Sequence, residues 1–261
     1  MMGALAITTL FPYFWMITTS LMHEYEVYSF PPKLLPARPR WDNYKEAMSV
    51  MPWARFFFNT AVMAVSAVVG QLFIVSSGAY ALSRLKFPGR DKIFMFFLLF
   101  MMLPYAVTLI PGFLILKSLG WVNTHLALIV PNLGNIWGMF LMRQYMMTLP
   151  PSLEDAARID GASEFMIYWK IILPLSKPVL AAVSIFTFIG MWKSFLWPLI
   201  VTRSLHMRTV EVGIAMFSSQ YHANFPLQMA AATVVAIPII LVFFFAQRYF
   251  IEGINLTAGQ F

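Results

Sequence analysis

Residues 149–174 read LPPSLEDAARIDGASEFMIYWKIILP, a polar stretch that lies between two long apolar segments of the chain. The pattern predicts two short helices that meet at a sharp turn. Ser152 is placed to cap the first helix, with Asp155 as the acid of a capping box. Gly161 can adopt the left-handed conformation that stops this helix, and Ser163 is placed to cap the second one.

The second helix of this stretch combines an apolar face with an end marked by proline. Pro174 is expected to end it, and the apolar face consists of Phe165, Met166, Trp169 and Ile172. Small residues at one end and an aromatic face at the other are typical of an element that docks onto another protein. The residues alone are equally consistent with a helix that lies on lipid headgroups.

Apolar runs dominate the rest of the chain. Of its 261 residues 60% are hydrophobic and 11% are charged, whereas a soluble domain carries about 25% charged residues. A membrane-spanning helix needs about 20 apolar residues. We therefore expect an all-α membrane protein, a single domain over residues 1–261, with six spans at about 1–22, 56–83, 93–116, 118–142, 178–201 and 227–247 and a polar loop at 143–177.

The charge pattern excludes one class of partner and bears on topology. The net charge is +7, but the basic residues sit between apolar runs and not among exposed aromatics, which argues against nucleic acid and for contact with membrane lipid. Six spans would place nine Lys and Arg on each side of the membrane, so the number of basic residues per side does not determine the orientation. Loop 84–92 holds four cations close to span ends, which favours a cytoplasmic position.

The spacing of residues 155–174 resembles the cytoplasmic signature loop of ABC-importer permeases. That signature is Glu-Ala-Ala, three residues, Gly, nine residues, Ile, one residue and Leu-Pro. At the same spacing this chain has Asp155-Ala156-Ala157, Gly161, Ile171 and Leu173-Pro174. Asp155 replaces the glutamate, and Glu154 stands beside it, so a carboxylate is kept.

Further segments resemble the carbohydrate branch of this family, the maltose-transporter-like permeases. They are Phe30-Pro31-Pro32-Lys33 with Asn43-Tyr44, the run from Tyr80 to Gly89, Pro104, Leu109-Ile110-Pro111, the run from Phe195 to Leu199, and Leu256-Thr257-Ala258-Gly259. The chain departs from the family after Trp192, because Lys193-Ser194 stands where the family usually has Asn and then an acidic residue.

The resemblance implies a type I ABC-importer permease fold in a bacterial cytoplasmic (inner) membrane, with loop 143–177 and loop 84–92 inside and loop 24–55 outside. It implies a second homologous permease, two ATPase subunits that hold ATP and Mg²⁺, an extracytoplasmic sugar-binding protein and a saccharide substrate. This chain itself would bind no cofactor and catalyse no reaction. The residues implied to couple to the ATPase are Glu154, Asp155, Ala156, Ala157, Asp160, Gly161 and Phe165.

Polar groups within the predicted spans are candidates for the transport path. Asn132 and Asn135 lie in the fourth span, together with Gly134 and Gly138, whose spacing is also typical of close helix packing. Asn135 can serve either role. Lys193 follows the fifth apolar run and completes the candidate path residues. Gln71, in the second span, permits the same two interpretations.

Two other classes of membrane protein fit the sequence less well. An ion-coupled secondary transporter usually carries an ionisable residue deep in a span, and the apolar runs contain none. A membrane enzyme needs clustered ligands or acids, but the four histidines are scattered, at His23, His125, His206 and His222. The chain lacks a phosphate-binding Gly-x4-Gly-Lys loop and so is not the ATPase itself. It also has no cysteine, which excludes disulfides and thiolate metal sites.

The outer side carries an excess of positive charge. On the topology above, its loops hold nine Lys and Arg against five acids. Cations at the mouth of a path raise the encounter rate of an anionic solute. We therefore hypothesise an acidic saccharide such as a uronate oligomer as cargo, with Lys193 near the mouth. The alternative is that these cations meet acidic patches on the binding protein and that Lys193 extends to the membrane interface.

Overall fold

The computed structural model describes residues 2–220 and 224–258, and side chains at residue 5 and within 7–220 and 224–246. His222 and Gly259 lie outside the described residues. The described part is helical and contains no strand. Its helices are α1 (Met2–Ser20), α2 (Glu24–Val27), α3 (Asp42–Val50), α4 (Trp53–Arg84), α5 (Arg90–Met101), α6 (Tyr105–Ser118), α7 (His125–Ile129), α8 (Ile136–Thr148), α9 (Ser152–Ile159), α10 (Glu164–Ile167), α11 (Leu173–Leu175), α12 (Lys177–Trp192), α13 (Leu196–Val201), α14 (Val210–Gln220) and α15 (Phe225–Ala258).

Among the described residues two helices are long and apolar enough to cross a membrane alone, α4 and the Phe225–Ala246 part of α15. Three further candidates are bent pairs: α5 with α6 at 98°, α7 with α8 at 40°, and the Glu164–Leu175 segment with α12 at 76°. Counting each pair as one span gives up to five among the described residues. The all-α membrane fold is therefore confirmed, and the number of six spans stays a prediction.

The helices begin, bend and end at positions that differ in part from the bounds of the predicted spans. Pro104 stands at the sharp bend between α5 and α6, whereas α6 runs unbroken through Pro111. The third predicted span is therefore bent at Pro104 and not at Pro111, because Pro104 occupies the position just before a new helix begins. Residues 119–124 form a turn where the fourth span was predicted to begin, and α8 continues beyond that span to Thr148. The fifth apolar run is interrupted after Trp192.

Helix α4 lies at the centre of the fold. It packs against α8 and α12, and α15 in turn packs against α12, α1 and α3. One buried apolar cluster surrounds the first half of α4 around Phe56, and a second surrounds its last half around Val75. Large apolar side chains on α1, α5 and α6 stay exposed, as expected of surfaces that face lipid or partner helices. The second cluster also holds the loop after α8 against α4.

Candidate coupling site and transport path

The first helix of the polar loop, α9, begins without a side-chain cap. Pro151 occupies the cap position, and Ser152 already lies in the first turn, so the predicted Ser152 cap is wrong. Asp155 makes no capping box and instead accepts a 3.1 Å hydrogen bond from Nη1 of Arg158, one turn further on. Two acids in the first turn still match the helix dipole.

The turn after α9 has the left-handed geometry that we predicted from Gly161. Gly161 has a φ of +81°. The N–H of Ala162 donates to the carbonyl of Ala157 at 2.9 Å, and the N–H of Gly161 donates to the carbonyl of Arg158 at 3.0 Å. These two bonds define a Schellman motif, whose left-handed residue favours glycine. The sharp turn between the two helices is thus fixed by the local sequence.

The second helix is capped as predicted, but its apolar face is not continuous. Oγ of Ser163 accepts a 3.3 Å hydrogen bond from the N–H of Met166. Helix α10 then passes into a π-helical turn at Tyr168–Ile172. A π turn holds an extra residue and rotates the side chains that follow. As a result Ile172 is fully buried, whereas the other three predicted face residues, Phe165, Met166 and Trp169, are exposed. Pro174 lies within α11, and this segment ends one residue later, at Leu175.

The predicted coupling residues divide between an open surface and an inner face. Glu154 and Ala157 are buried. The exposed members are Asp155, Ala156, Asp160, Gly161 and Phe165. Phe165 is 70% exposed, and Ile159, which the sequence reasoning missed, is 87% exposed. Two large apolar side chains standing out from a short polar loop are typical of a surface that another molecule covers.

Polar contacts fix this loop to the end of α4. Nε of Arg84 lies 3.1 Å from Oε1 of Glu154. The hydroxyl of Tyr80 donates to Oε2 of Glu164 at 2.7 Å, and Nε of Arg158 donates to Oε1 of the same carboxylate at 2.8 Å. The bond from Arg158, and then that from Tyr80, hold the pKa of the Glu164 carboxyl below its ordinary value. The α9–α10 element is therefore attached to α4 at two separate carboxylates.

The candidate path residues Asn132 and Asn135 meet at the buried side chain of Gln71. Nε2 of Gln71 donates to the carbonyl of Asn132 at 2.5 Å. Its Oε1 accepts from Nδ2 of Asn135 at 2.9 Å and from Oγ1 of Thr187 at 2.7 Å. Oδ1 of Asn135 also caps α8 by accepting from the N–H of Gly138. This cluster joins α4, α8 and α12, and Thr187 had no signal in the sequence that distinguished it.

Packing explains one of the two fourth-span glycines. A Cβ at Gly138 would lie 3.3 Å from Val183 on α12, so a close approach requires a small residue there. A Cβ at Gly134 would meet nothing within 4 Å. The packing interpretation therefore applies to Gly138 and has no support at Gly134.

Lys193 lies apart from the Gln71 cluster. It is exposed in the break between α12 and α13. Glu211, at the start of α14, is close enough to sense its charge. Burial raises the pKa of the Glu211 carboxyl, and the charge of Lys193 opposes that rise. The structure thus does not bring the three candidate path residues together in one group.

The long apolar helices and bent apolar helix pairs of the described residues are those of a multi-pass membrane protein. The chain belongs to the family described as binding-protein-dependent transport system inner membrane component, whose model matches residues 72–255. This match confirms the family that the signature loop indicated. As a permease of this family it is a non-catalytic component of a transporter.

Known relatives align over nearly the whole chain. The arabinooligosaccharides transport system permease protein AraQ of Halalkalibacterium halodurans is 37% identical, over 93% of this chain and 85% of the relative. The sn-glycerol-3-phosphate transport system permease protein UgpE of Yersinia enterocolitica is 33% identical, over 94% of this chain and 90% of the relative. A crystal structure of a bacterial ABC transporter involved in the import of the acidic polysaccharide alginate superposes with a TM-score of 0.84 at 26% identity, over 95% of this chain and 93% of that one.

Proposed function

We propose that this chain is a permease subunit of an ATP-driven importer of oligosaccharides in a bacterial cytoplasmic membrane. It forms half of the path with a second, homologous permease, and it works with an extracytoplasmic binding protein and two ATPase subunits that hold ATP and Mg²⁺. The single observation that carries this proposal is the α9–α10 element, a polar loop with a buried attachment to α4 and an exposed apolar tip. The names of the relatives, for arabinooligosaccharides and for alginate, support a saccharide as cargo.

The exposed part of the loop is the proposed contact with the ATPase. Ile159 and Phe165 supply apolar side chains that an ATPase groove would bury. The carboxylate of Asp155 pairs with Arg158, but its side chain is 68% exposed and therefore accessible to a basic group of the partner. Ala156 and Gly161 are small and allow close approach. When ATP binding closes the ATPases, the loop moves with them, and rotation of the attached helices switches the path between the two sides.

The Gln71 cluster is the proposed polar element along the path. Its hydrogen bonds join α4, α8 and α12, the three helices that we propose border the path. Asn132 and Asn135 contribute to the path through this cluster, and Lys193 contributes at the outer mouth.

An acidic saccharide is the proposed cargo class. The excess of cations on the outer side and the exposed position of Lys193 support it, as do two relatives whose names carry an anionic solute. Glu211 beside Lys193 weakens the local positive charge, so the attraction would come from the whole outer surface together with Lys193.

The experiment that tests the function uses the importer reconstituted in vesicles with its binding protein outside. Uptake of oligosaccharide should require ATP inside and binding protein outside. Uptake driven by an ion gradient without ATP would instead identify a secondary transporter and contradict the proposal.

Charge reversal tests the cargo class in the same vesicles. Lys193→Glu should cut uptake of a uronate oligomer about tenfold, more than it weakens binding-protein docking. Arg203→Glu is the matched control, since Arg203 is another exposed outer cation but lies after α13 and not in the break between α12 and α13. Transport of neutral oligosaccharides only would refute the acidic cargo and leave the importer assignment intact.

A further inference from the structure

Two buried arginines cap the ends of helices α4 and α8 reciprocally. Arg84, the last residue of α4, donates from Nη2 to the carbonyls of Met146 and Leu149 at the end of α8, the second at 2.6 Å. Arg143, on α8, donates from Nε to the carbonyl of Leu82 near the end of α4 at 3.0 Å. Helix ends leave carbonyls such as those of Leu82 and Leu149 without intrahelical partners, whereas the carbonyl of Met146 also accepts from the N–H of Leu149 at 3.2 Å. Each helix therefore supplies the cation that satisfies the end of the other.

Different acidic partners compensate the charges of these two arginines. The side chains of Arg84 and Glu154 are only 7% and 4% exposed, and Nε lies 3.1 Å from Oε1. The N–H is not aligned as a hydrogen bond, so this contact is a buried ion pair. Arg143 lies 4.0 Å above the ring of Phe94, and its Nη2 is 3.1 Å from Oδ1 of Asp91. Burying a charge is costly, and removing one partner of such a pair is strongly destabilising.

Through Glu154 the helix α9 becomes the third member of this arrangement. Arg84 holds the end of α8 and the first turn of α9 with the same guanidinium group. A planar guanidinium can donate in several fixed directions at once, which the ammonium of lysine does not reproduce.

We propose that Arg84, Arg143 and Glu154 form a buried clamp that makes α9 and the adjoining ends of α4 and α8 move as one body. They are positioning residues for the transport cycle. This inference rests on the proposed coupling role of α9, and it extends that role to the ends of α4 and α8. Gln71 is thirteen residues along α4 from Arg84, which corresponds to about 20 Å of helix. Displacement of α9 by the ATPase would thus reach the polar cluster through a rigid helix pair.

Uptake per ATP hydrolysed by the reconstituted importer tests the clamp. Arg84→Lys and Glu154→Gln should each lower this ratio about tenfold, a factor within the range typical of the loss of coupling between two sites. Arg203→Lys makes the same chemical change at an exposed arginine outside the clamp and should leave the ratio within about twofold of the wild type. Ratios at the wild-type level for Arg84→Lys and Glu154→Gln would overturn the clamp.

A double variant separates positioning from stability. Arg84→Met with Glu154→Met removes both buried charges, a change that often restores stability. We expect its melting temperature to recover relative to the single variants while the uptake ratio stays low. Recovery of both would show a purely structural pair and overturn the proposal. Absence of ATP-dependent uptake in the wild type would contradict the proposed function itself, so the two failures are distinguishable.

Discussion

The side-chain amide of Asn135 donates a 2.9 Å hydrogen bond to the side-chain oxygen of Gln71, which joins the start of α8 to the middle of α4. Gln71 is 97% buried and also receives the hydroxyl of Thr187. Inside a membrane no water replaces a lost partner, so the bonds of this cluster hold the three helices in register.

Removing the central amide should destabilise the subunit. Gln71→Leu leaves the carbonyl of Asn132 and the side chains of Asn135 and Thr187 without their partner, which costs about 1–3 kcal/mol. We expect a lower melting temperature in detergent. Thr187→Val, which removes one bond only, should show a smaller decrease. An unchanged melting temperature with a raised KM for uptake would instead identify the cluster as a direct substrate contact.

The predicted orientation can be read by labelling. A cysteine at Ser152 should react only with a reagent on the cytoplasmic side, and one at Pro36 only with a reagent on the outside. Both positions are exposed or half-exposed in the structure, and the chain has no native cysteine to confuse the result. Labelling of both from the same face would rule out the topology.

The turn at Gly161 should be required for docking of the ATPase. A β-branched residue resists a φ of +81°, and the left-handed conformation costs it about 1–2 kcal/mol. We expect Gly161→Val to be inserted in the membrane but to lose ATPase subunits on purification. Gly120→Val imposes a similar strain at a φ of +69°, in the turn after α6. Equal loss of ATPase from both variants would show a general folding defect instead.

The outer loop should lose stability in acid through Glu26. The N–H of His23 donates to its Oε2 at 3.0 Å and the N–H of Ala37 to its Oε1 at 3.1 Å. The bond from His23 is the main reason that the pKa of the buried carboxyl lies below its ordinary value of 4.5. A depressed pKa stabilises the fold above the unfolded value, and this contribution disappears as the pH falls through the folded value.

Melting temperatures therefore check this pH dependence. Glu26→Gln should melt below the wild type at pH 7, and the difference should shrink as the pH falls below 4.5. Glu24→Gln, at an exposed neighbouring carboxylate, should stay close to the wild type throughout. A constant difference between wild type and Glu26→Gln across this range would contradict the assignment.

Features that depend on neighbours in the sequence were predictable. The turn at Gly161 and the cap by Ser163 follow from local backbone chemistry. The cap by Ser152 failed because the preceding Pro151 takes that position. The predicted apolar face was wrong at Ile172. A π turn shifts the side chains that follow it, and a prediction from the regular α-helical period cannot include such a turn.

Long-range partners could not be read from one sequence. The bond between Tyr80 and Glu164 joins residues 84 positions apart, and that between Thr187 and Gln71 spans 116. Gln71 and the two asparagines were noticed as polar groups in apolar runs, but their mutual contact depends on how three helices pack. The buried state of Glu154 likewise follows from the position of Arg84 and not from its own neighbours.

Photo-crosslinking from position 165 tests most directly the central claim that the α9–α10 element contacts an ATPase. Phe165 is replaced by a benzophenone-bearing phenylalanine in the assembled importer, and Phe96, an exposed aromatic on α5, is the matched control. We expect a covalent adduct between position 165 and the ATPase subunit, with lipid adducts only from position 96. Lipid adducts from both positions, with none to the ATPase, would show that this element lies on the membrane surface and does not contact an ATPase.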